Sequence, residues 1–336
     1  MAIEREKHGV RIYCCGGSSQ SIIKPVYKSW KNEDKPGFAD VDFAIFDTSD
    51  SNASSDFQEE DVYFVEGLRG AGQLRNIPAP EVAPIVKNLV QKFSPKSLNI
   101  VLHSLSGGSG SVLGPVIVRE LMDREAPTIV LAIADQSSYK YTYNSMQTLK
   151  SYESYAKSGK YPIIMGYFFN TDSKSRKEVD KYIINTISDL RCLFSNQNIG
   201  LDEQDLFHWL RYDRVTNDYP NQLASFTIIN DGDNLDPKWY GKAISVATLA
   251  TEDQHTDYAE IVDYHVEGVI PEALSSQMKE FAKPVHFVIS DGVFDRIVDE
   301  MSDHLGKLEK EKESRVVRKS LVTKDDVPDE DTGLIL

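Results

Sequence analysis

Cysteine is scarce in this sequence and long apolar runs are absent, and both facts narrow the class of protein. Three cysteines occur among 336 residues, and two of them, Cys14 and Cys15, are adjacent. That number and spacing fit neither a disulfide framework nor a zinc site, so we predict reduced structural thiols and no metal-ligand cluster. No segment approaches the roughly 20 apolar residues of a membrane-spanning helix, and residues 1–8 are charged rather than signal-like. We therefore expect a soluble, cytoplasmic protein.

Basic residues are also fewer than acidic ones. Asp and Glu number 52 against 37 Lys and Arg, which gives a formal net charge of −15. Because nucleic-acid phosphates and anionic lipid headgroups would repel such a chain, we expect no direct nucleic-acid binding and no membrane binding. The length and the 40% of apolar residues allow one large domain or two of ordinary size.

Short apolar runs alternate with helical patterns through the first half of the chain. The strand-like runs are residues 10–15, 42–46, 61–65, 98–103, 128–133 and 163–169. This alternation predicts an α/β fold with a parallel sheet that helices cover on both faces. Ligands of such sheets bind at the carboxyl ends of the strands. The residues that follow the strands are therefore candidate ligand contacts: Gly16, Asp47, Gly70, Gly107, Asp135 and Asn170.

The second half has a different pattern. A helical segment over residues 174–195 precedes strand-like runs and a helical segment over residues 271–281, which predict a second, smaller α/β domain. The strand-like runs are residues 224–230, 244–250, 262–269 and 285–290. A long charged helix over about residues 294–318 and a tail too acidic to fold alone follow. We divide the chain into a ligand-binding domain 1–173, a central helix 174–197, a second domain 198–292, a helix 293–323 and an acidic tail 324–336.

The segment Ser106-Gly107-Gly108-Ser109-Gly110-Ser111 lies between a predicted strand and a predicted helix. Free backbone N–H groups and the positive end of the helix dipole converge at such a turn, which favours binding of a phosphate. The turn has neither the lysine of a GxxxxGK[ST] motif nor the GxGxxG order of a dinucleotide loop. A plain tight turn is the alternative.

Two further loops of similar composition follow other strands. Gly16-Gly17-Ser18-Ser19-Gln20 follows the first apolar run, and Gly70-Ala71-Gly72 follows the third. Three such loops at one edge of a sheet favour a long polyphosphate ligand over unrelated structural turns. Each loop taken alone is also compatible with a tight turn.

Asp202 and Asp205 stand three residues apart at the start of a predicted helix, so their side chains share one face. An N-cap aspartate followed by a second acid in the first turn is the commoner explanation. The alternative is a pair of carboxylates that orients a water and holds a cation near a phosphate.

Four other residues have both a structural and a functional interpretation. Asp180, near the start of the long helix, is either a solvated face residue or an acceptor for the N1–H and 2-amino groups of guanine. Asn170, just past a strand, is either a turn residue or a base contact. We expect His103 to be a satisfied core histidine, and Trp209 to pack in the core rather than to bind a ligand.

Together these residues resemble the tubulin/FtsZ family. Residues 107–112 are similar to the GGxGSG loop of that family, with Val112 in place of its last glycine. Residues 16–20 and 70–72 resemble the first and third nucleotide loops, and residues 201–206 resemble the catalytic loop. Asp180 falls where the family reads guanine, usually with asparagine, and Arg176 falls where some members place a base-stacking aromatic. The terminal helix and tail are most similar to the PhuZ-type tubulins of large bacteriophages.

The resemblance implies a GTPase that binds GTP or GDP with Mg²⁺ and stacks head to tail into a homopolymer. In such a polymer Asp202 and Asp205 of one subunit complete hydrolysis in the nucleotide pocket of the next. The tail docks on a neighbouring subunit, with Leu334, Ile335 and Leu336 as anchors, and the filament positions phage DNA in the host cell. Residues 1–173 become the GTP-binding domain and residues 198–292 the activation domain.

Two alternatives remain. Asp47 stands where a Rossmann fold reads a ribose 2′-OH, which is a mark of an NAD-dependent oxidoreductase, although that fold needs no second glycine loop. A GTP-binding regulator of the same family that never polymerises is the other. A preference for GTP or for NAD separates the first alternative from the rest.

Overall fold

The computed structural model describes residues 6–50, 54–66, 79–159, 161–169, 175–216, 219–230, 240–254, 262–275 and 283–316. Several predicted features lie outside these residues. They are Gly70, Ala71, Gly72, Asn170 and the acidic tail 324–336.

In the described part of the chain, ten strands form one sheet, and they coincide closely with the predicted apolar runs. In chain order they are β1 (Gly9–Cys15), β2 (Asp40–Asp47), β3 (Val62–Phe64), β4 (Leu98–Ser104), β5 (Thr128–Ala134), β6 (Ile163–Phe169), β7 (Leu223–Asn230), β8 (Lys242–Thr251), β9 (Tyr264–Ile270) and β10 (Val285–Asp291). The order across the sheet is β3-β2-β1-β4-β5-β6-β7-β10-β8-β9. Strands β1 to β7 all run parallel to their neighbours among one another. Strand β10 runs antiparallel to both β7 and β8. The predicted α/β class with a mainly parallel sheet is confirmed.

Helices connect the strands. They are α1 (Gly17–Ile23), α2 (Tyr27–Lys31), α3 (Ala79–Val82), α4 (Val86–Lys92), α5 (Gly110–Asp123), α6 (Tyr139–Ser158), α7 (Arg176–Leu193), α8 (Glu203–Leu210), α9 (Glu272–Ser275) and α10 (Val293–Val316). Within the described residues, no helix is both long and apolar enough to cross a membrane.

The sheet has a hydrophobic core on each face because its strands are apolar at successive positions. Ile12 and Cys14 of β1 pack on one side with α1, α2, α7 and α8, while Tyr13 and Cys15 pack on the other with α4, α5, α6 and α10. All three cysteine side chains are buried and none forms a disulfide, as expected for structural thiols. The sheet is therefore the middle layer of three. The helices cover its two faces, and the amino and carboxyl ends of its strands remain open for other roles.

The sequence pattern of residues 79–93 predicts one continuous helix, and this prediction needed correction. The predicted helix over residues 79–93 is instead two short helices, α3 and α4, because Pro84 between them lacks an N–H and disfavours helical backbone in the residue before it. The apolar pattern did not predict bounds for α6, whose buried face mixes Leu149 and Tyr152 with the polar Thr148. Of the helix expected over residues 271–281, the described part is α9.

The later strands do not form a sheet of their own. Residues 163–165 of β6 pair in parallel with residues 223–225 of β7, so β7 to β10 extend the first sheet. The division of the chain at residue 198 stays a prediction about domains. The pairing shows that the parallel strands belong to one continuous sheet. Their carboxyl ends therefore lie at one end of that sheet and their amino ends at the other.

Candidate functional site

Two of the predicted glycine loops lie in direct contact at the carboxyl ends of β1 and β4. These strands are parallel neighbours, with Cys15 opposite His103. Gly16 has a φ of 84°, a left-handed conformation that favours glycine. A Cβ on Gly110 would lie 2.8 Å from the Cys15 carbonyl oxygen, and one on Gly16 would lie 3.0 Å from the Gly110 nitrogen. Only glycine at both positions allows the two loops to approach this closely.

The paired loops border a cavity of about 340 Å³. Seven predicted site residues line it: Gly16, Gly17, Ser18, Gly107, Gly108, Ser109 and Gly110. Four lining residues were not among the predicted contacts: Cys15, Ser21, Ser104 and Arg176. The structure therefore gathers two loops that are about 90 residues apart in sequence into one polar recess.

Helix α5 begins at this recess with its first turn open. Ser109 is its N-cap residue, but in the described part of the chain the Ser109 hydroxyl makes no capping bond to the helix. Instead its Oγ lies 2.6 Å from the Thr48 Oγ1, at the end of β2. Because the first N–H groups of a helix have no partner within it, they remain available to an anion. The start of a 14-residue helix thus supplies donors and a positive dipole end to the cavity.

Hydrogen bonds within the second glycine loop hold its conformation. The Ser104 Oγ accepts hydrogen bonds from the backbone N–H groups of Ser106 and Gly107, each at 3.3 Å. Ser111 donates from its hydroxyl to the Gly108 carbonyl at 3.2 Å. Ser106 and Ser111 are buried and do not line the cavity, so they hold the loop rather than face a ligand.

Buried polar contacts also fix the first loop. The Ser19 hydroxyl donates to the Gly16 carbonyl at 2.7 Å, and the Gln20 amide donates to Asp47 at 2.9 Å. Asp47 is 1% exposed and also accepts the Thr48 backbone N–H at 2.7 Å. Ser19, Gln20 and Asp47 therefore lie behind the recess, where they connect the ends of β1 and β2.

Asp135 and Asp180 lie outside the lining of the recess. Asp135 accepts the Ser137 backbone N–H at 2.8 Å and closes the turn after β5. Asp180 lies one helical turn beyond Arg176 in α7. Burial raises the pKa of the Asp180 carboxyl above its ordinary value, and the charge of Arg176 opposes that rise. Arg176 itself lines the cavity, at the position where the family resemblance places a base-stacking aromatic.

The second predicted constellation is a reciprocal helix cap. Asp202 is the N-cap residue of α8, and its Oδ1 accepts the Asp205 N–H at 2.9 Å. The Asp205 Oδ2 in turn accepts the Asp202 N–H at 3.1 Å. The capping interpretation of the pair is therefore confirmed. Since Asp202 is exposed, the cap also presents a carboxylate to solvent.

The loop before this cap is held rigidly against the sheet. Ile199 exchanges backbone hydrogen bonds of 2.7 and 2.8 Å with Val269 of β9. Gly200 follows with a φ of 83°, and Leu201 packs so closely on Gly268 that a Cβ there would clash. These contacts fix the direction in which α8 and its carboxylates leave the sheet.

The cap lies at the opposite end of the sheet from the glycine loops. A cavity of about 630 Å³ includes Asp202, together with His8, Ser97 and Pro127, which directly precede β1, β4 and β5. Each of those strands has seven residues, and at about 3.3 Å per residue the two ends are about 20 Å apart. One chain therefore does not bring Asp202 or Asp205 to its own glycine loops.

The two expected core residues are buried and packed, and the ring nitrogens of His103 are also hydrogen-bonded. His103 is fully buried, with its Nε2 2.7 Å from the Tyr152 hydroxyl. Trp209 is fully buried and contacts the rings of Phe226 and Phe287 edge-on. Both interpretations as core residues are confirmed. Within the described residues, no cluster of three or more His, Cys, Asp or Glu side chains has the arrangement of a metal site.

Comparison with known proteins gives consistent matches, although no family model matches the chain. It is 31% identical over 221 residues to the phage tubulin-like protein of Pseudomonas phage PhiPA3, which covers 66% of this chain and 67% of that protein. It is 28% identical over 295 residues to the phage tubulin-like protein of Pseudomonas phage 201phi2-1, covering 87% and 90%.

Solved structures agree in fold. A structure of the phage tubulin PhuZ with GDP superposes with a TM-score of 0.84 at 25% identity, covering 97% of this chain and 99% of that one. A protofilament of TubZ from bacteriophage PhiKZ gives a TM-score of 0.81 at 23% identity, covering 94% and 96%.

Proposed function

Because the chain belongs to the phage tubulin-like proteins, we propose that it is a GTPase that assembles head to tail into filaments. The observation that carries this proposal is the recess between the two interlocked glycine loops, at which the first turn of α5 is open. Backbone donors from two strand ends suit a ligand with several phosphates in a row. The solved PhuZ structure with GDP supports a guanine nucleotide as that ligand.

Mg²⁺ fits this recess as a companion of the nucleotide. The described lining offers hydroxyl oxygens from Ser18, Ser21 and Ser109 but no carboxylate. Mg²⁺ binds oxygen and is commonly held by substrate phosphates and water with few protein ligands, which such a lining permits. When bound, the ion offsets the negative charge of the phosphates.

Hydrolysis is completed by a second subunit in this proposal. Asp202 and Asp205 lie at the amino ends of the strands, about 20 Å from the recess of the same chain. In a head-to-tail stack, that end of one subunit meets the nucleotide end of the next. The carboxylates then polarise the water that attacks the γ-phosphate.

Guanine is recognised, in this proposal, by Asp180 and by Asn170, of which Asn170 lies outside the described residues. Asp180 is half-buried one turn from Arg176, which lines the recess. A carboxylate there accepts two adjacent donors, the N1–H and the 2-amino group of guanine. ITP, which lacks the 2-amino group, should therefore bind more weakly than GTP.

The first test follows light scattering and phosphate release together after the purified protein receives GTP, GDP, ITP or NAD. We expect scattering to rise with GTP above a threshold protein concentration, with coupled release of phosphate. Binding of GTP without scattering at any concentration would instead indicate a regulator that does not polymerise. Tight binding of NAD with no response to GTP would contradict the proposal as a whole.

A substitution pair separates catalysis from helix capping. Asp205→Ala should keep GTP binding and lose GTP hydrolysis, so filaments should persist instead of disassembling. Asp202→Asn keeps a side-chain oxygen that can cap the helix but removes the negative charge. Its effect on hydrolysis therefore measures the role of the charge apart from capping. Both are measured by nucleotide binding and by phosphate release per polymer. Unchanged turnover in Asp205→Ala would remove this residue from the reaction.

Mixing two inactive variants tests completion by the neighbour. Gly107→Trp places a large side chain in the recess, where a Cβ on Gly107 would meet no atom closer than 3.8 Å, and should block the nucleotide. In a mixture of the two variants, a Gly107→Trp subunit contributes an intact helix cap and an Asp205→Ala subunit contributes an intact recess. The mixture should therefore release phosphate faster than either variant alone. If activity in the mixture equals the sum of the separate rates, the site is complete within one chain.

Two biological features complete the proposal. The acidic tail 324–336 docks on a neighbouring subunit through Leu334, Ile335 and Leu336, and the filament positions phage DNA in the host cytoplasm. The tail lies outside the described residues, so this part rests on its composition and on the family. Filaments that form in an infected cell without contact to viral DNA or capsids would contradict the positioning role.

A further inference from the structure

The nucleotide recess has many backbone donors, yet its two glycine loops carry no cationic side chain. Their lining residues are Cys15, Gly16, Gly17, Ser18, Ser21, Ser104, Gly107, Gly108, Ser109 and Gly110. A nucleoside triphosphate carries about four negative charges at neutral pH. We propose that Arg176, from the start of α7, supplies a cation to the phosphate site, an inference that rests on the nucleotide-binding function proposed above.

The backbone at Arg176 is held in place by local structure. Ser175 and Glu178 form a capping box: the Ser175 N–H donates to the Glu178 carboxylate at 2.7 Å, and the Ser175 hydroxyl accepts the Glu178 N–H. Arg176 is the first helical residue between them. The carboxylate of Glu178, the nearest acid of the same turn, is thus hydrogen-bonded to Ser175.

The guanidinium is also placed for a ligand. Arg176 is exposed and lines the same cavity as Gly107 to Gly110. The charge of Arg176 opposes the rise that burial causes in the pKa of Asp180, and among the residues that the structure describes Arg176 forms no ion pair at salt-bridge distance. Because the described lining of the recess contains no carboxylate, the guanidinium at its border suits an anionic ligand.

Phosphate is favoured over the base as its partner. The recess that Arg176 borders is built from the loops whose backbone N–H groups bind phosphate, and arginine presents a rigid fork of donors that matches phosphate oxygens. Stacking of the guanidinium on guanine is the other chemistry open to arginine, and it predicts a different dependence on the ligand. The number of phosphates on the ligand therefore distinguishes the two.

The test measures the affinity of Arg176→Ala for GTP, GDP, GMP and inorganic tripolyphosphate. Charge-assisted hydrogen bonds predict a loss of about ten- to a hundredfold for GTP, a smaller loss for GDP and the smallest for GMP. Binding of tripolyphosphate, which has no base, should fall by a factor similar to that for GTP. Arg176→Lys should recover part of the affinity, because it keeps the charge without the fork.

Lys177→Ala is the matched control, since Lys177 is the exposed neighbour that does not line the recess. It should bind all four ligands as the unaltered protein does, and circular dichroism should show both variants folded. An equal loss for GMP and GTP would overturn the phosphate assignment in favour of a base contact, and unchanged affinity in Arg176→Ala would overturn it altogether. If the unaltered protein binds tripolyphosphate through Arg176 but shows no preference for GTP, the proposed function fails while this assignment stands.

Discussion

At the scale of single residues, the site depends on two glycines that have no Cβ atom. The backbones after β1 and β4 touch because Gly16 and Gly110 have no Cβ, and the resulting recess is bordered by backbone N–H groups. A side chain at either position would separate the loops before it met any ligand. The glycines therefore act mainly through packing between loops, and only secondarily through flexibility.

Two alanine substitutions test this packing role. Gly110→Ala should destabilise the protein by about 2 kcal/mol, because its Cβ would lie against the Cys15 carbonyl and the loops must move apart. Gly107→Ala is the control in the same loop, since its Cβ would have no neighbour closer than 3.8 Å. Urea denaturation measures both. Equal stability of the two variants would show that the contact between the loops is not tight.

At the scale of secondary structure elements, α7 connects the recess to the far end of the molecule. Its first residue, Arg176, lines the recess, and its last turn carries the buried Arg191. The Arg191 guanidinium pairs with Glu33 at 2.9 Å, donates to the Ala39 carbonyl at 3.2 Å and lies over the Trp30 ring. The end of α7 is thus fixed to the segment between α2 and β2.

Arg191→Ala should show how much that attachment contributes. Its side chain is 2% exposed and the partner Glu33 side chain 30% exposed, so removal leaves a partly buried carboxylate without its cation. We expect a loss of about 2–3 kcal/mol in the free energy of unfolding, below the value for a fully buried pair because water reaches Glu33. Lys157→Ala, which breaks the exposed pair with Glu153, is the control and should have no measurable effect. A similar loss in both variants would show that burial does not strengthen the Arg191 pair.

At the scale of the whole molecule, the two ends of the sheet have different chemistry. One end has an uncharged recess of backbone donors with Arg176 beside it, and the other presents the capped carboxylates of α8. Such a molecule has complementary ends that are not related by twofold symmetry. Repetition of a contact between them yields an open filament instead of a closed dimer.

The tail adds a second contact to this assembly in the function proposed. Deletion of residues 325–336 should strongly raise the protein concentration needed for polymerisation with GTP, since it removes the apolar anchors Leu334, Ile335 and Leu336. Folding of the monomer should be unaffected, as judged by thermal denaturation. Substitution of these three residues by serine keeps the acidic part and should reproduce most of the defect. A polymer of normal amount and threshold would show that the tail does not take part.

Most of the framework is determined by the sequence on its own. Residues 163–169 and 285–290 are largely apolar, as is typical of strands buried on both faces, and the structure has strands there. Asp202 and Asp205 have the spacing of a reciprocal cap, which is a local interaction and needs no distant partner. Such features follow from period, local hydrogen bonding and backbone sterics.

Other features were decided only by the tertiary structure. Helix α6 buries a face of mixed polarity whose side chains find partners in other elements, as Thr148 does with the Leu105 carbonyl, so its apolar period is weak. Arg176 reaches the recess because α7 packs beside α1, a contact between residues far apart in the chain. The separation of Asp205 from the glycine loops follows from strand direction and sheet order. Those depend on pairing between distant segments, which local sequence patterns do not specify.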